Sequence, residues 1–312
     1  MVRRKFIISI TTLFFIVLNN ISLLAFLREK QVKNGELIEK IEFGYINWTE
    51  GYIEISSKVF LPEIIKDNKY KIYKNENYAT SLADARLIAF KQAKEYGKRN
   101  LLNAIYNLRI YNNYFIKSYL LKSTNDFKYR LDSFILSLTN YRKFYNNDNS
   151  ITVKYKVKFF GNNGLFNIIN NSDVNLIDFN KISIISNLKI ISTNTNKLRD
   201  YSALILDCRK IKGLYPSLNF HIYDEKGNLI YGGEYISSNV FKEEGVVKYI
   251  GDTSYLEKIK FLDKDILIVK PLKKRRFSTS DIIISNNIAK IIKSSPLLLT
   301  NLKKGKVIVI IK

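Results

Sequence analysis

Apolar residues fall at helical spacing along one long stretch and at strand spacing over most of the rest. From Ser81 onward, Leu82, Ala85, Ala89, Ala93, Leu101, Ala104, Ile105 and Leu108 recur at intervals of three, four and seven or eight. That period gathers them on one side of a rod and predicts an amphipathic helix over 81–108. The apolar side is mostly small, so the rod can lie close against a sheet. Ser81 followed by Asp84 is a start signal. Just upstream, 47–55 reads as a strand. Thr49, Gly51, Ile53 and Ile55 form one face, and Trp48, Glu50, Tyr52 and Glu54 the other.

Downstream, 111–121 is an aromatic, strand-prone run and 125–131 a short helix. Residues 134–145 and 151–160 are two further strands. In the second, Val153, Tyr155, Val157 and Phe159 alternate with Thr152, Lys154, Lys156 and Lys158. Asn146, Asn147, Asp148 and Asn149 between them have the composition of a hairpin turn. The lysine face reads as edge charge of the kind that discourages strand addition. Residues 61–79 form a polar excursion, and 161–180 an Asn-rich loop. An apolar run at 182–191 and a polar break at 192–200 place a domain boundary before the second unit.

That unit opens at 201–207 with an unbroken apolar run, the mark of a buried strand. Residues 219–224 and 229–231 flank a hairpin turn. A strand at 281–284, a helix at 286–293 capped by Ser285 or Asn286, and a strand at 307–311 follow. Strand, helix, strand over this length predicts a right-handed parallel crossover with the last strand inside the sheet. The predicted fold is α+β: a sheet packed on one long amphipathic helix, then a second α/β unit with a mixed sheet ending in β-α-β. The organisation is a signal peptide or N-terminal anchor at 1–25, a linker at 26–40, a helix-on-sheet domain at 41–180, and a mixed α/β domain at 200–312.

The first 25 residues change the picture most. Arg3, Arg4 and Lys5 precede an apolar stretch over 6–18, polar Asn19 and Asn20, and then Leu23, Leu24 and Ala25. This is the layout of a secretory leader cut after Ala25, or of an uncleaved anchor over 6–27 that tethers the body to the inner membrane. Either form puts the body in the periplasm and sets nucleic acid aside as a partner.

Composition then bounds the chemistry. The 312 residues are 46% hydrophobic with 4 Pro, as in a folded chain, and carry a formal charge of +23. That charge fits either lysine drift on solvated faces, in a chain rich in Lys, Asn, Ile and Tyr, or attraction to anionic lipid or cell wall. The densest basic cluster, Lys273, Lys274, Arg275 and Arg276, is the candidate contact with such a surface; an ordinary solvated loop is its plain alternative. The single cysteine, Cys208, excludes an internal disulfide, and its apolar setting reads as a buried, inert thiol. One histidine, His221, cannot build a His-based metal site alone. Glu50 and Glu54 share a face without a third group, so they read as solvated. No glycine-rich phosphate loop occurs. Neither a catalytic residue nor a cofactor is predicted. The one constellation that would make a hydrolase is a pocket holding Asp207, His221 and a hydroxyl.

Several stretches together resemble a known family. They are 47–54, Ala83-Asp84-Ala85-Arg86, Arg99-Asn100-Leu101-Leu102-Asn103-Ala104-Ile105 and the hairpin at 153–157. This half is similar to the domain shared by small bacterial envelope lipoproteins and flagellar assembly proteins P and T. Pieces at 203–209, 214–218, 223–232, 279–285 and 305–309 recur in longer relatives. The resemblance implies a periplasmic, non-enzymatic scaffold that self-associates or joins envelope or flagellar proteins. The chain departs from it in having no cysteine directly after the apolar leader stretch to carry a lipid, in the excursion at 61–79, and in its basicity.

Overall fold

The computed structural model describes residues 29–65, 78–121, 125–168, 200–263 and 265–312. The leader, most of the 61–79 excursion and the run at 182–191 lie outside the described residues. Among the described residues no helix is long and apolar enough to cross a membrane.

The first unit begins inside the stretch expected to be a linker. β1 (Lys30–Lys33) and β2 (Glu36–Ile41) pair antiparallel. The turn between them is Asn34-Gly35, with φ of 52° and 78°. Two adjacent positive φ values make the primed turn that matches strand twist, and Asn-Gly is its strongest short-range signal. The polar composition concealed a strand whose inward positions are Leu37 and Glu39. Glu39 tolerates burial because Trp48 Nε1–H donates to its Oε2 at 2.7 Å. β3 (Gly44–Asn47) and β4 (Tyr52–Phe60) correct the single strand expected at 47–55. Residues 48–51 are the turn, and Gly51 takes a φ of 65° there.

After the short parallel pair β5 (Glu63–Ile64) and β6 (Tyr78–Ala79) comes the predicted helix, α1 (Leu82–Tyr106). Ser81 Oγ accepts from Asp84 N at 3.1 Å, while Asp84 Oδ2 accepts from Thr80 N at 3.0 Å. The two ends of the cap therefore satisfy each other's donors. Ala85, Ala89, Ala93, Gly97 and Leu101 form one buried ridge at i+4 spacing against β4 and the later β10. Leu82, expected on that ridge, is 47% exposed at the rim. Gly97 sets the closest approach, since a Cβ there would lie 2.7 Å from Tyr155 Cε2. Gly97→Ala gains about 1 kcal/mol of helix propensity but overpacks the buried ring at a cost of about 1–3 kcal/mol. The expected outcome is a net loss, read as a lower urea midpoint; a gain would show that the ring moves aside freely.

β7 (Arg109–Tyr111), β8 (Tyr114–Phe115), α2 (Ile116–Leu120) and α3 (Asn125–Ser137) follow. Helix thus replaces strand over much of 111–121 and over 134–137. The cause is visible at Phe127, Leu131 and Ile135, which are buried at four-residue spacing. β9 (Tyr141–Asn146) and β10 (Ser150–Lys158) then form the expected hairpin, with Asn149 at a φ of 57°. The sheet order is β1-β2-β3-β4-β10-β9, antiparallel throughout. β10 is therefore an interior strand. Its lysines lie on the sheet face opposite α1 and do not guard an edge.

The second unit contains β11 (Ala203–Asp207), β12 (Ile222–Tyr223), β13 (Leu229–Tyr231), α4 (Ser238–Glu244), β14 (Lys248–Ile250) and β15 (Ile266–Val269). It continues through β16 (Lys273–Lys274), β17 (Ile282–Ile283), α5 (Asn286–Ser294), α6 (Pro296–Leu302) and β18 (Val307–Ile310). One sheet is parallel, in the order β14-β18-β11-β15; the other is mixed, in the order β13-β12-β17-β16. The terminal strand, helix and strand exist in chain order, but β17 and β18 belong to different sheets. They connect two sheets and do not form a crossover within one. The overall class is the predicted one: α+β, with a sheet on one long helix and a second unit of mixed and parallel sheets.

The two units share one continuous buried core. Trp48 meets Phe159 at 5.8 Å and Tyr249 at 5.9 Å between ring centroids, and Phe160 meets Phe241 at 5.7 Å. Backbone bonds from Leu218 N to Arg109 O (2.9 Å) and Asn219 N to Ile110 O (2.7 Å) stitch the same seam.

Candidate anionic-surface site and a buried histidine

Lys273 and Lys274 lie on an edge strand rather than in a loop. They pair with Ile283 and Ile282 of β17. Leu272 N to Ile283 O (2.8 Å) and Arg275 N to Asp281 O (3.0 Å) extend the ladder at both ends. Ser278 N donates to Arg275 O at 3.1 Å and closes the turn. Ser278 itself is buried; its Oγ accepts from Asp281 N at 2.8 Å and donates to Asn112 Oδ1. At the apex Phe277 has a φ of 60° and is 87% exposed. A bulky side chain in that region costs of order 1–3 kcal/mol and persists because the surrounding bonds dictate it.

The four basic side chains do not point alike. Lys273, Arg275 and Arg276 are exposed, and the Arg276 guanidinium stacks over Phe277 at 4.7 Å. Lys274 Nζ donates to Gly213 O at 3.2 Å, and Arg275 lies 4.0 Å over the Tyr223 ring. A second basic surface spreads over the outer face of the first sheet. There Glu54, Arg142, Phe144, Lys154, Lys156 and Lys158 line part of a groove of about 650 Å3. Lys156 Nζ sits 3.6 Å from the Tyr52 ring centre.

His221 is engaged on both ring nitrogens. Parallel register pairs Ile222 with Ile282, which brings the preceding residues, His221 and Asp281, side by side. Nδ1 meets Asp281 Oδ1 at 3.2 Å and Nε2 meets Glu234 Oε1 at 3.1 Å. Glu234 is presented by a 3-10 turn, Gly233–Tyr235, held by Gly233 N donating to Asn219 Oδ1 at 2.9 Å. Gly232 is required by proximity, since a Cβ there would lie 2.5 Å from His221 Cδ2. Burial opposes charge on the imidazole, but the bonds to Asp281 and Glu234 and the charges behind them prevail and raise its pKa to about 9. The ring is an imidazolium at neutral pH, with both N–H groups donating.

The hydrolase constellation does not form. Arg209 grips Asp207 through Nε to Oδ1 and Nη2 to Oδ2, both at 2.8 Å, and holds its carboxyl below the usual range. His221 is held by other carboxylates, and a protonated histidine with both nitrogens occupied takes no proton from a hydroxyl. Burial pushes the Cys208 thiol up, away from the thiolate form. Among the described residues no group of three His, Cys, Asp or Glu side chains is arranged to hold a metal ion.

The second unit as a whole has a counterpart. Residues 203–312 match the family model of Treponema pallidum Tp0624, second domain. The match starts at the first residue of β11, so the Tp0624-like unit takes in both small sheets, the histidine network and the basic hairpin. No curated protein matches the chain.

Sequence reasoning missed Glu234 and Asp281, which lie 13 and 60 residues from His221 and share no motif with it. A polar residue immediately before each of two apolar strands was the available signal for the His221–Asp281 pair, and Glu234 carried none. It also passed over Phe277, an aromatic placed where a turn residue belongs.

Proposed function

We propose that the chain is an exported, non-enzymatic structural or assembly component of the bacterial cell envelope, with the periplasmic surroundings of the flagellar motor as a candidate place of action. The observation behind this reading is how the reactive groups are used. His221, Asp207 and Cys208 are spent on internal partners or burial, while the outward surfaces are basic and aromatic. Such a molecule acts by contact. The likeness of its second unit to a Treponema protein domain accords with a bacterial source. In-cell crosslinking with mass spectrometry tests the proposal: crosslinks to itself or to envelope or flagellar proteins are expected. Recovery with cytosolic ribosomes or DNA would overturn it.

A second reading, a periplasmic binding module for anionic lipid or peptidoglycan, is favoured by the lysines on the outer sheet face. It predicts cosedimentation with anionic vesicles or sacculi that weakens as salt rises.

A further inference from the structure

We infer that the tip of the β16–β17 hairpin is a docking element that sets Phe277 into the headgroup region of an anionic phospholipid bilayer. This deepens the binding-module reading and rests on it. Phe277 is the apex of the turn, 87% exposed, in a backbone conformation that glycine or asparagine would take with ease. The turn is shaped from below by buried Ser278 and Asp281, so the fold itself does not need an aromatic ring there. Arg276 stacks on the ring, and exposed Lys273 and Leu272, 54% exposed, lie farther down the same strand. The loop that Lys274 holds through Gly213 adds exposed Lys210 and Lys212. Asp281, the nearest acid along the hairpin, is buried and engaged by His221.

Basic side chains attract an anionic leaflet over roughly a Debye length, and an aromatic ring gains from partial burial at the interface. The two contributions add, and the attachment they give is reversible and salt-sensitive. The shape selects the partner. A convex tip with one projecting ring and basic side chains beside it suits a deformable, anionic bilayer.

The test is cosedimentation of the full chain at low salt with vesicles of phosphatidylcholine, with or without phosphatidylglycerol. Binding to the anionic vesicles is expected. Phe277→Ser should weaken it about tenfold, and Lys273→Gln or Arg276→Gln about fivefold each. Phe277→Gly should weaken binding as much as Phe277→Ser while raising Tm, because it relieves the left-handed residue. Phe277→Trp should show blue-shifted emission when anionic vesicles are added. Tip variants that bind like the parent, or an unshifted Trp emission in the bound state, would overturn the proposal. If binding is lost instead in Lys154→Gln, Lys156→Gln and Lys158→Gln together, the binding-module reading stands and the tip proposal falls. Capture by sacculi without vesicle binding has the same meaning. Binding to neither ends both.

Discussion

Raising the pH from about 6.5 to about 9 is expected to remove about 3 kcal/mol of folding stability through His221. The folded-state pKa lies above that of an unfolded histidine, so between about 6.5 and 9 the native chain holds a proton that the unfolded chain has released. The contribution is complete below the lower value and gone above the upper one. The groups around the imidazolium explain its size: Asp281 and Glu234 on its nitrogens, with the Tyr111 and Tyr223 rings at 6.5 Å and 5.9 Å. Burial also pushes up the Cys208 thiol, which adds to the loss from the ordinary thiol value near 9 upward, and the phenols of Tyr231 and Tyr249, whose contribution fades only above the ordinary tyrosine range. Urea unfolding across the interval should show the decline, and His221→Gln should flatten it. Asp281→Ala, which leaves charge buried without its partner, should cost about 3–5 kcal/mol at neutral pH. A parent protein equally stable across the interval would mean that the buried ring is neutral.

Tyr155 should respond in opposite directions to two substitutions. Its ring is fully buried between α1 and β10, against Gly97 and the Tyr141 ring at 5.9 Å. Tyr155→Ala opens a cavity beneath the helix and is expected to cost about 3–5 kcal/mol. Against a typical total of about 5–15 kcal/mol, that leaves a marginal fold. The hydroxyl is a different matter. It is buried with no hydrogen-bond partner among the described residues, and its surroundings push its pKa up to about 12. Tyr155→Phe removes an unsatisfied polar atom at constant shape, so it should be neutral or gain about 1 kcal/mol. Unfolding free energies of the two variants decide the matter. A Phe variant weaker than the parent would point to a partner for that oxygen.

Legibility in the sequence followed the range of the interactions involved. α1 was legible because its ridge, its cap and its small residues all lie within one segment. The β9–β10 hairpin was legible for the same reason. The β1–β2 hairpin carried its Asn34-Gly35 signal openly, but Glu39 at an inward position broke the alternation that normally marks a strand. α3 was obscured by aromatic residues whose strand preference reflects packing surroundings more than backbone. The assignment of β17 and β18 to separate sheets depends on pairings between distant segments, which no local window contains. The same holds at the site. Lys273, Lys274, Arg275 and Arg276 stood out by composition, whereas the bond from Lys274 to Gly213 and the stacking of Arg275 on Tyr223 exist only once the chain has folded.

β18 sits between β14 and β11, although it is the final described strand to leave the ribosome. Every other member of the parallel sheet is therefore synthesised before the one that joins them. From its own synthesis until Val307 emerges, Lys248–Ile250 has no neighbour to zip onto, and β11 offers a bare flank to the nascent chain. Vectorial folding of this unit has to wait, and a holding factor that shields those flanks suits it better than early collapse. A frameshift or proteolytic nick upstream of Val307 would remove the keystone of the parallel sheet and leave adhesive strand flanks open to aggregation.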